Sequence, residues 1–165
     1  MDYDWEDIYT QEFRHIYKFL LKITKDKYLA EDITSECFLK AMDNIDSYRA
    51  DSDMRIWLLS IAKNTLYDYY KKHNRLEFDF DFESIKTNED LEIEIIEKMG
   101  AKEIYLEILK LNPPYREVLK LRLIYDLSYK EIASQLKRSI NWVSVTYHRG
   151  KLILRDSLED YYEGL

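Results

Sequence analysis

The sequence has little of what interrupts helices, since its 165 residues include only three glycines and two prolines. These two residue types are the strongest local breakers of regular structure, so long helices can run through the chain without a break. Leucine, isoleucine, lysine and glutamate are abundant, and this composition favours helices. The composition therefore predicts an all-α fold.

The chain also lacks the features of secreted and membrane-spanning proteins. Its one cysteine, Cys37, cannot form an intramolecular disulfide, and it lies in an apolar helical pattern that predicts a buried thiol. The first ten residues, MDYDWEDIYT, are acidic and contain no apolar signal-peptide core. No apolar run approaches the roughly 18 residues of a membrane span. We therefore expect a cytoplasmic protein that does not insert into membranes.

Basic side chains are fewer than acidic ones, which gives a formal net charge of −7. This acidic excess is confined to one part of the chain. Residues 76–110 carry 11 acidic and 4 basic side chains. Residues 1–75 carry 14 acidic and 12 basic side chains, and residues 111–165 carry 7 and 9. The acidic excess thus lies in one segment, and either flank can present a basic face to a nucleic acid.

Apolar residues recur with the 3.6-residue period of helices over most of the chain. This period predicts helices over about 5–24, 29–45, 53–73, 89–109 and 114–125. The pattern fails after Arg75, where acidic and apolar residues alternate over a stretch that favours a linker. We therefore predict two small helical domains over residues 1–75 and 99–165, joined by an acidic linker over residues 76–98.

The segment 128–151 predicts a helix, a sharp turn and a second helix. Ser128 and Glu131 have the spacing of a capping box, which starts the first helix. The second helix places Ile140, Val143 and Tyr147 on its inner face. Its outer face offers hydrogen-bonding and short side chains of the kind that read base edges: Asn141, Trp142, Ser144, Val145, His148 and Arg149. Two packed helices of an ordinary bundle remain the alternative interpretation.

The predicted helix over 53–73 has a second surface suited to nucleic acid. Cations that bind phosphate, aromatic rings that stack on bases and an amide lie outside its apolar set: Arg55, Lys63, Asn64, Tyr67, Lys71 and Lys72. The preceding loop, 46–53, contains Tyr48 and Arg49 and has the length to wrap one unstacked base. A solvated helix face and a routine interhelical loop would give the same pattern.

Enzymatic motifs find little support. Glu12 and His15 have the E-x-x-H spacing of helical di-iron sites, but the second such motif is missing. A phosphate-binding Walker loop, a zinc-binding cluster and a nucleophile elbow are also missing. We therefore expect no enzyme activity, no cofactor and no metal site. A helix-turn-helix regulator that binds a palindrome as a dimer is the other class, although residues 30–75 would have no purpose in it.

Two stretches together resemble bacterial RNA polymerase sigma factors of the extracytoplasmic-function type (group four of the sigma-70 family). Residues 30–75 resemble region two through AEDITSECFLKA, SYRADSDM and WLLSIAKNTLYDYYKK. Residues 112–151 resemble region four through NPPYREVLKLRLIYDLSYKEIASQL and the helix that follows. Both stretches occur in the family's order and spacing. The resemblance implies a promoter-specificity subunit that binds core RNA polymerase, binds promoter DNA and promotes transcription initiation.

The resemblance also implies a role for each matching position. The residues implied to dock on the clamp coiled coil of core polymerase are Asp32, Ser35, Glu36, Leu39 and Lys40. Those implied to bind the minus-ten element and its flipped base are Tyr48, Arg49, Ala50, Asp51, Arg55, Lys63, Asn64 and Lys71. Those implied to bind the minus-thirty-five element are Arg138, Asn141, Trp142, Ser144, Val145, His148, Arg149 and Lys151. The linker is implied to thread through core polymerase, whose flap is a further contact, and an anti-sigma protein is an expected partner.

The chain departs from the family's usual residues at several of these positions. Ser35 stands where glutamine is usual, and Ala50 and Lys137 stand where glycine is usual. Because a left-handed backbone costs lysine more than glycine, we expect the turn at Lys137 to differ from the family's. Trp142 and Ser144 replace threonine and basic residues, so the family's base preference does not transfer to this chain.

Overall fold

The computed structural model describes residues 2–73 and 87–164, which belong to two compact units, 1–100 and 101–165. We call these the N-terminal unit and the C-terminal unit. Every regular element in the described ranges is helical, which confirms the predicted all-α fold with two helical domains. Within the same ranges, no helix is both long enough and apolar enough to cross a membrane.

Three helices of the N-terminal unit lie where the apolar period predicts them. They are α1 (Trp5–Thr24), α2 (Lys27–Asp43) and α3 (Met54–Lys72). Each is preceded by an aspartate whose carboxylate accepts hydrogen bonds from N–H groups of the first turn: Asp4, Asp26 and Asp53. These N–H groups have no partner within the helix, so the three carboxylates fix where the helices begin.

The core of the N-terminal unit is formed by the apolar faces of these three helices. Its buried side chains recur at the helical period: Ile16, Leu20, Ile33, Cys37, Leu58, Ala62 and Leu66. The Cys37 thiol donates a hydrogen bond to the Leu58 carbonyl at 3.3 Å, and burial raises the pKa of Cys37 to about 12. Cys37 is therefore the buried thiol that the sequence predicts.

The helix predicted over 89–109 is two helices instead of one. The first, α4 (Asn88–Lys98), begins at a capping box between Thr87 and Asp90. It packs on α1 and α3, and its buried residues are Leu91, Ile95 and Ile96. Gly100 has a φ of +74°, a left-handed conformation that glycine adopts without strain and that ends the helix. Residues 88–98 of the proposed linker therefore pack within the N-terminal unit, and residues 76–86 lie outside the described residues.

The C-terminal unit contains four helices. They are α5 (Lys102–Lys110), α6 (Tyr115–Leu119), α7 (Tyr129–Leu136) and α8 (Ile140–Glu163), and α6 continues into a π-helical turn, Lys120–Ile124. Their core includes Ile108, Leu111, Leu119 and Leu154. A Cβ atom at Gly150 would lie 3.2 Å from the Leu119 side chain, so α6 and α8 meet at a position that suits glycine.

The turn between α7 and α8 keeps the conformation that a glycine would favour. Ser128 and Glu131 form the predicted capping box at the start of α7. Lys137, which follows α7, is left-handed at φ 55° and ψ 48°. The expectation that lysine would change this turn is therefore wrong. The N–H groups of Lys137 and Arg138 donate to carbonyls at the end of α7 and hold the residue in this conformation.

Candidate nucleic-acid interface

The loop between α2 and α3 is ordered by hydrogen bonds among its own residues. It begins with a 3₁₀ turn, Ile45–Ser47, in which the Ser47 hydroxyl donates to the Asn44 carbonyl at 2.7 Å. The N–H and hydroxyl of Ser52 both donate to the Arg49 carbonyl, at 2.8 and 2.7 Å. The loop can therefore keep its shape in the absence of a ligand.

Tyr48 supports this loop from the protein side. Its ring packs against Trp57, with centroids 5.2 Å apart, and against the edge of Tyr3 at 5.9 Å. Its hydroxyl donates to the Ser52 carbonyl at 2.7 Å. Burial raises the pKa of Tyr48, with smaller effects from Asp53 and other neighbours. Because these contacts engage both the ring and the hydroxyl, we reassign Tyr48 from capturing a base to positioning the loop.

The next three residues, Arg49, Ala50 and Asp51, form the outer part of the loop and are exposed. The Arg49 side chain is 83% exposed, and its Nε lies 3.9 Å from the Asp51 carboxylate. An ion pair at this distance in water is worth little, so it does not hold the guanidinium in place. Arg49 can therefore turn toward a phosphate or a base.

A cavity of about 240 Å³ opens beside the loop, between α2 and α3. Hydrogen-bond donors and acceptors dominate its lining: Lys40, Asn44, Ser47, Ile61, Asn64, Thr65 and Asp68. Pockets for drug-sized ligands begin near 300 Å³, so this cavity suits a smaller group. Sequence reasoning identified Asn64 but missed Asn44, Thr65 and Asp68. The spacing of Asn64 and Asp68 on one face of α3 was the signal available.

The structure contradicts the predicted DNA contact of Arg55. This residue is 4% exposed, and its Nε donates to the Glu12 carboxylate of α1 at 2.7 Å. The Glu12 side chain is itself only 12% exposed. Arg55 is therefore a structural residue that ties α3 to α1. Glu12, the glutamate of the E-x-x-H spacing, is engaged in this ion pair. No cluster of metal-ligating side chains occurs in residues 2–73 or 87–164.

Other cations and polar groups of α3 are accessible. Asn64 and Lys71 are exposed, and Lys63 is half-buried. The Asn64 amide nitrogen donates to the Ser60 carbonyl at 2.9 Å, which orients the side chain at the mouth of the cavity. The basic surface of α3 is therefore smaller than the sequence predicts. Asn64 lies at the cavity beside the loop, whereas Lys71 lies at the other end of the helix.

One face of α2 is exposed along its length. Asp32, Ser35, Glu36 and Leu39 are exposed, and Glu36 pairs with the half-buried Lys40 at 2.9 Å. Leu39 is 64% exposed, which is unusual for an apolar residue inside a helix of a packed unit. Sequence reasoning missed Tyr28 and Met42, which extend this face at helical spacing and are 83% and 46% exposed. Leu39 and Met42 are one turn apart, and an exposed apolar pair with polar neighbours suits a protein partner.

The outer face of α8 carries the predicted base-reading residues. Asn141, Val145, His148, Arg149 and Lys151 are exposed, whereas Trp142 and Ser144 are half-buried. Ser139 caps the helix by accepting from the Trp142 N–H at 3.1 Å. The Arg138 guanidinium lies over the Trp142 ring at 5.1 Å, and this contact places a cation beside the start of α8.

The predicted inner face of α8 needs one correction. Val143 is fully buried and Tyr147 is half-buried, but Ile140 is 51% exposed. Ile140 is the first residue of α8, one turn before its packing against α7 and α6 begins at Val143. It therefore extends the outer surface of the helix instead of the core.

Comparisons with known proteins assign both units. The family model described as "Sigma-70 region 2" matches residues 8–76, and "Sigma-70, region 4" matches residues 101–154. The ECF RNA polymerase sigma factor SigM of Bacillus subtilis is 34% identical over 149 residues, which cover 86% of this chain and 88% of SigM. The chain belongs to the sigma-70 family of RNA polymerase sigma factors, extracytoplasmic-function type.

Further relatives agree with this assignment. The B. subtilis RNA polymerase sigma factor YlaC is 31% identical over 161 residues, covering 93% of this chain and 91% of YlaC. SigX of the same organism is 28% identical over 166 residues, covering 96% and 86%. Among solved structures, a co-crystal of the sigma factor RpoE with the anti-sigma factor NepR from Bartonella quintana has a TM-score of 0.44 and 18% identity, covering 94% of this chain and 97% of that chain. That likeness is too distant to add to the assignment.

The N-terminal unit thus contains sigma region two, and the C-terminal unit contains region four. The sigma factor binds core RNA polymerase, directs it to specific promoters and promotes transcription initiation. Region four includes the helix-turn-helix formed by α7 and α8.

Proposed function

We propose that region two of this sigma factor captures a base of the minus-ten element in the cavity beside the loop. The cavity is the observation that carries this proposal, because its walls form hydrogen bonds and include Ser47 of the loop, two residues before the exposed Arg49. Asn64 and Ser47 contact the base edge, while Arg49, Ala50 and Asp51 cover it. Lys63 and Lys71 bind the adjoining phosphates. Tyr48 and Arg55 act by positioning the loop.

Base capture supplies the free energy for promoter opening. Flipping a base out of a duplex costs a few kcal/mol, and stacking and hydrogen bonding in a protein site return a similar amount. A preformed loop loses little conformational freedom on binding, so more of the binding free energy goes into melting. The protein does no bond chemistry, because core polymerase carries out RNA synthesis.

The exposed face of α2 docks on the clamp coiled coil of core polymerase. Leu39 supplies an apolar anchor, and Asp32, Ser35, Glu36 and Lys40 form its polar margin. Tyr28 and Met42 enlarge the contact. Apolar side chains surrounded by polar ones are the usual arrangement of a protein–protein interface. Since core polymerase and promoter DNA are cytoplasmic in bacteria, the sigma factor works in the cytoplasm.

The outer face of α8 binds the minus-thirty-five element. Asn141, Ser144, Val145 and His148 face the base edges in the major groove, with Trp142 beside them. Arg138, Arg149 and Lys151 bind phosphates. The acidic segment 76–98 connects the DNA-binding surfaces of region two and region four. Its last part, α4, packs on region two. Family membership supports core flap contacts and regulation by an anti-sigma protein as further proposals.

Permanganate footprinting of a promoter with reconstituted holoenzyme tests the cavity. Arg49→Ala and Asn64→Ala should each reduce thymine reactivity in the melted region several-fold, with core binding unchanged in a pull-down. Lys22→Ala, which removes an exposed cation near the end of α1, is the matched control and should melt normally. Normal melting by the Arg49→Ala, Asn64→Ala double variant would show that the loop and cavity are only a connection between helices.

A further inference from the structure

We propose that α8 recognises its promoter element through the C5 methyl group of a thymine packed against Val145, beside an adenine read by Asn141. This proposal rests on the proposed role of α8 in binding the minus-thirty-five element. It adds the base class that the helix selects and the side chains that select it.

The first two turns of α8 contain no cation for reading guanine. The sequence from Ser139 to Tyr147, SINWVSVTY, has neither lysine nor arginine. Arginine or lysine bound to the O6 and N7 atoms of guanine is the commonest specific contact in the major groove. Arg138 precedes the helix and lies over the Trp142 ring, while Arg149 and Lys151 come in the third and fourth turns. The cations therefore border the base-reading face, where they suit phosphates.

The side chains left on this face match adenine and thymine. Asn141 is exposed, and an asparagine amide can bond to both N6 and N7 of adenine. Val145 follows it by one turn on the same face and is 39% exposed. An apolar side chain distinguishes thymine by contact with its methyl group, which no other base of DNA presents in the major groove. Together the two residues can read neighbouring A·T base pairs.

Packing within region four covers only part of the Val145 side chain, which is 39% exposed. The neighbouring core positions of α8 are Val143, Thr146 and Gly150, which are buried on the opposite side of the helix. A β-branched residue loses side-chain freedom in a helix and is a weak helix former. A partly exposed valine therefore costs some helix stability relative to a straight-chain residue at this position.

Replacing single thymines by deoxyuridine tests the methyl contact, because this change removes the methyl group and leaves base pairing intact. Holoenzyme first selects promoters from a library with a randomised upstream element. Each thymine of the selected element is then replaced, and holoenzyme binding is measured by competition. One replacement should weaken binding of the unmodified protein about fourfold, the value for one methyl group removed from water.

Two variants connect this effect to Val145. In Val145→Ala the penalty for deoxyuridine at that position should disappear. Ile153→Ala removes a similarly exposed side chain, 42%, about two turns farther along the same helix and should keep the full penalty. Circular dichroism checks that both variants keep their helix content.

Three outcomes would overturn the proposal. If every thymine tolerates deoxyuridine, or if Val145→Ala keeps the penalty, the methyl contact is wrong while the role of α8 stands. If the library yields no upstream preference although holoenzyme initiates transcription, the role of α8 is wrong, and the methyl contact fails with it.

Discussion

The ion pair between Glu12 and Arg55 joins α1 to the first turn of α3, directly after the loop between α2 and α3. Both side chains are almost fully buried, at 12% and 5% exposure, so the two charges compensate each other away from water. Removing one partner from a buried pair typically lowers the free energy of unfolding by about 3–5 kcal/mol, because the other charge stays uncompensated. We predict a loss of this size for Arg55→Ala in urea unfolding of region two.

Two further variants distinguish the effect of breaking the buried ion pair from the effect of removing a positive charge. Arg49→Ala removes an exposed charge six residues earlier and should change the free energy of unfolding by less than about 0.5 kcal/mol. The double change Glu12→Gln with Arg55→Met leaves no buried charge and should recover most of the loss. Equal unfolding curves for Arg55→Ala and Arg49→Ala would contradict the structural role of Arg55.

Burial of Cys37 predicts both its reactivity and an effect of pH. Because burial raises its pKa from 9.0 to about 12, the thiol stays neutral in the folded protein while the unfolded chain ionises. Its contribution to stability is full below pH 9.0 and is lost as pH rises toward 12. We predict that an aromatic disulfide reagent modifies Cys37 in concentrated urea but not in the folded protein at mildly alkaline pH. Rapid labelling of the folded protein would contradict the buried position.

The sequence predicts whether a single residue is buried or exposed better than it predicts which distant residues it contacts. The positions of Cys37 in the core and of Arg49 in an exposed loop follow from local pattern. The burial of Arg55 does not, because its partner Glu12 is 43 residues earlier and belongs to another helix. Tyr48 is similar, since its contact with Tyr3 depends on how the chain packs. Local periodicity cannot predict a pair of this kind.

At the scale of elements, the turn between α7 and α8 tests the cost of a left-handed lysine. Lys137 has a φ of 55°, where a Cβ atom is unfavourable by roughly 1–2 kcal/mol relative to glycine, partly offset by the greater freedom of unfolded glycine. We predict that Lys137→Gly raises the free energy of unfolding of region four by about 0.5–1 kcal/mol. Lys137→Val should lower it, because a β-branched side chain fits this conformation worst.

A control lies in the preceding helix. Lys130→Gly places glycine inside α7, where it should lower the free energy of unfolding by up to about 1 kcal/mol. Thermal and urea unfolding of the full-length variants provide the measurement. If Lys137→Gly and Lys130→Gly destabilise the protein equally, the left-handed conformation carries no cost for lysine.

Two positions of α8 should differ in the kind of contact they make. Asn141 lies in the first turn, where side chains reach base edges, and Arg149 lies two turns later. Asn141→Ala should alter preference at one or two upstream positions by about 1–3 kcal/mol. Arg149→Ala should weaken binding to all sequences similarly and reduce the salt slope by about one. Competition binding by holoenzyme at several salt concentrations measures both effects. A change in preference with Arg149→Ala alone would reverse these roles.

The positions of the helices follow closely from the sequence, because capping residues and apolar period agree in α1, α2, α3 and α7. The largest difference is the predicted helix over 89–109, which ends at Gly100. An apolar period continues across that glycine, so it gives no sign that the backbone changes direction. Ile140 was assigned to the core for a similar reason, since its spacing from Val143 fits the inner face although its packing does not.

At the scale of the whole molecule, charge limits what the sigma factor can do alone. Its formal net charge is −7, and residues 111–165 have only two more basic than acidic side chains. DNA affinity depends strongly on cations that release counterions from phosphates, so we expect each of the two DNA-binding surfaces to bind weakly by itself. We expect core polymerase to hold region two and region four at promoter spacing, so that the second DNA-binding surface binds at a raised effective concentration without any new contact.

The most direct test of the account is a titration of promoter DNA near physiological salt, with and without core polymerase. We predict weak binding by the free chain and tight, sequence-specific binding by holoenzyme. Leu39→Ala changes the proposed core-binding face and should reduce the gain in DNA binding that core polymerase provides. Tyr9→Ala changes another large exposed side chain, on α1, and should preserve that gain. Tight specific binding by the free chain, unchanged by core polymerase, would contradict the account and favour a helix-turn-helix regulator that acts alone.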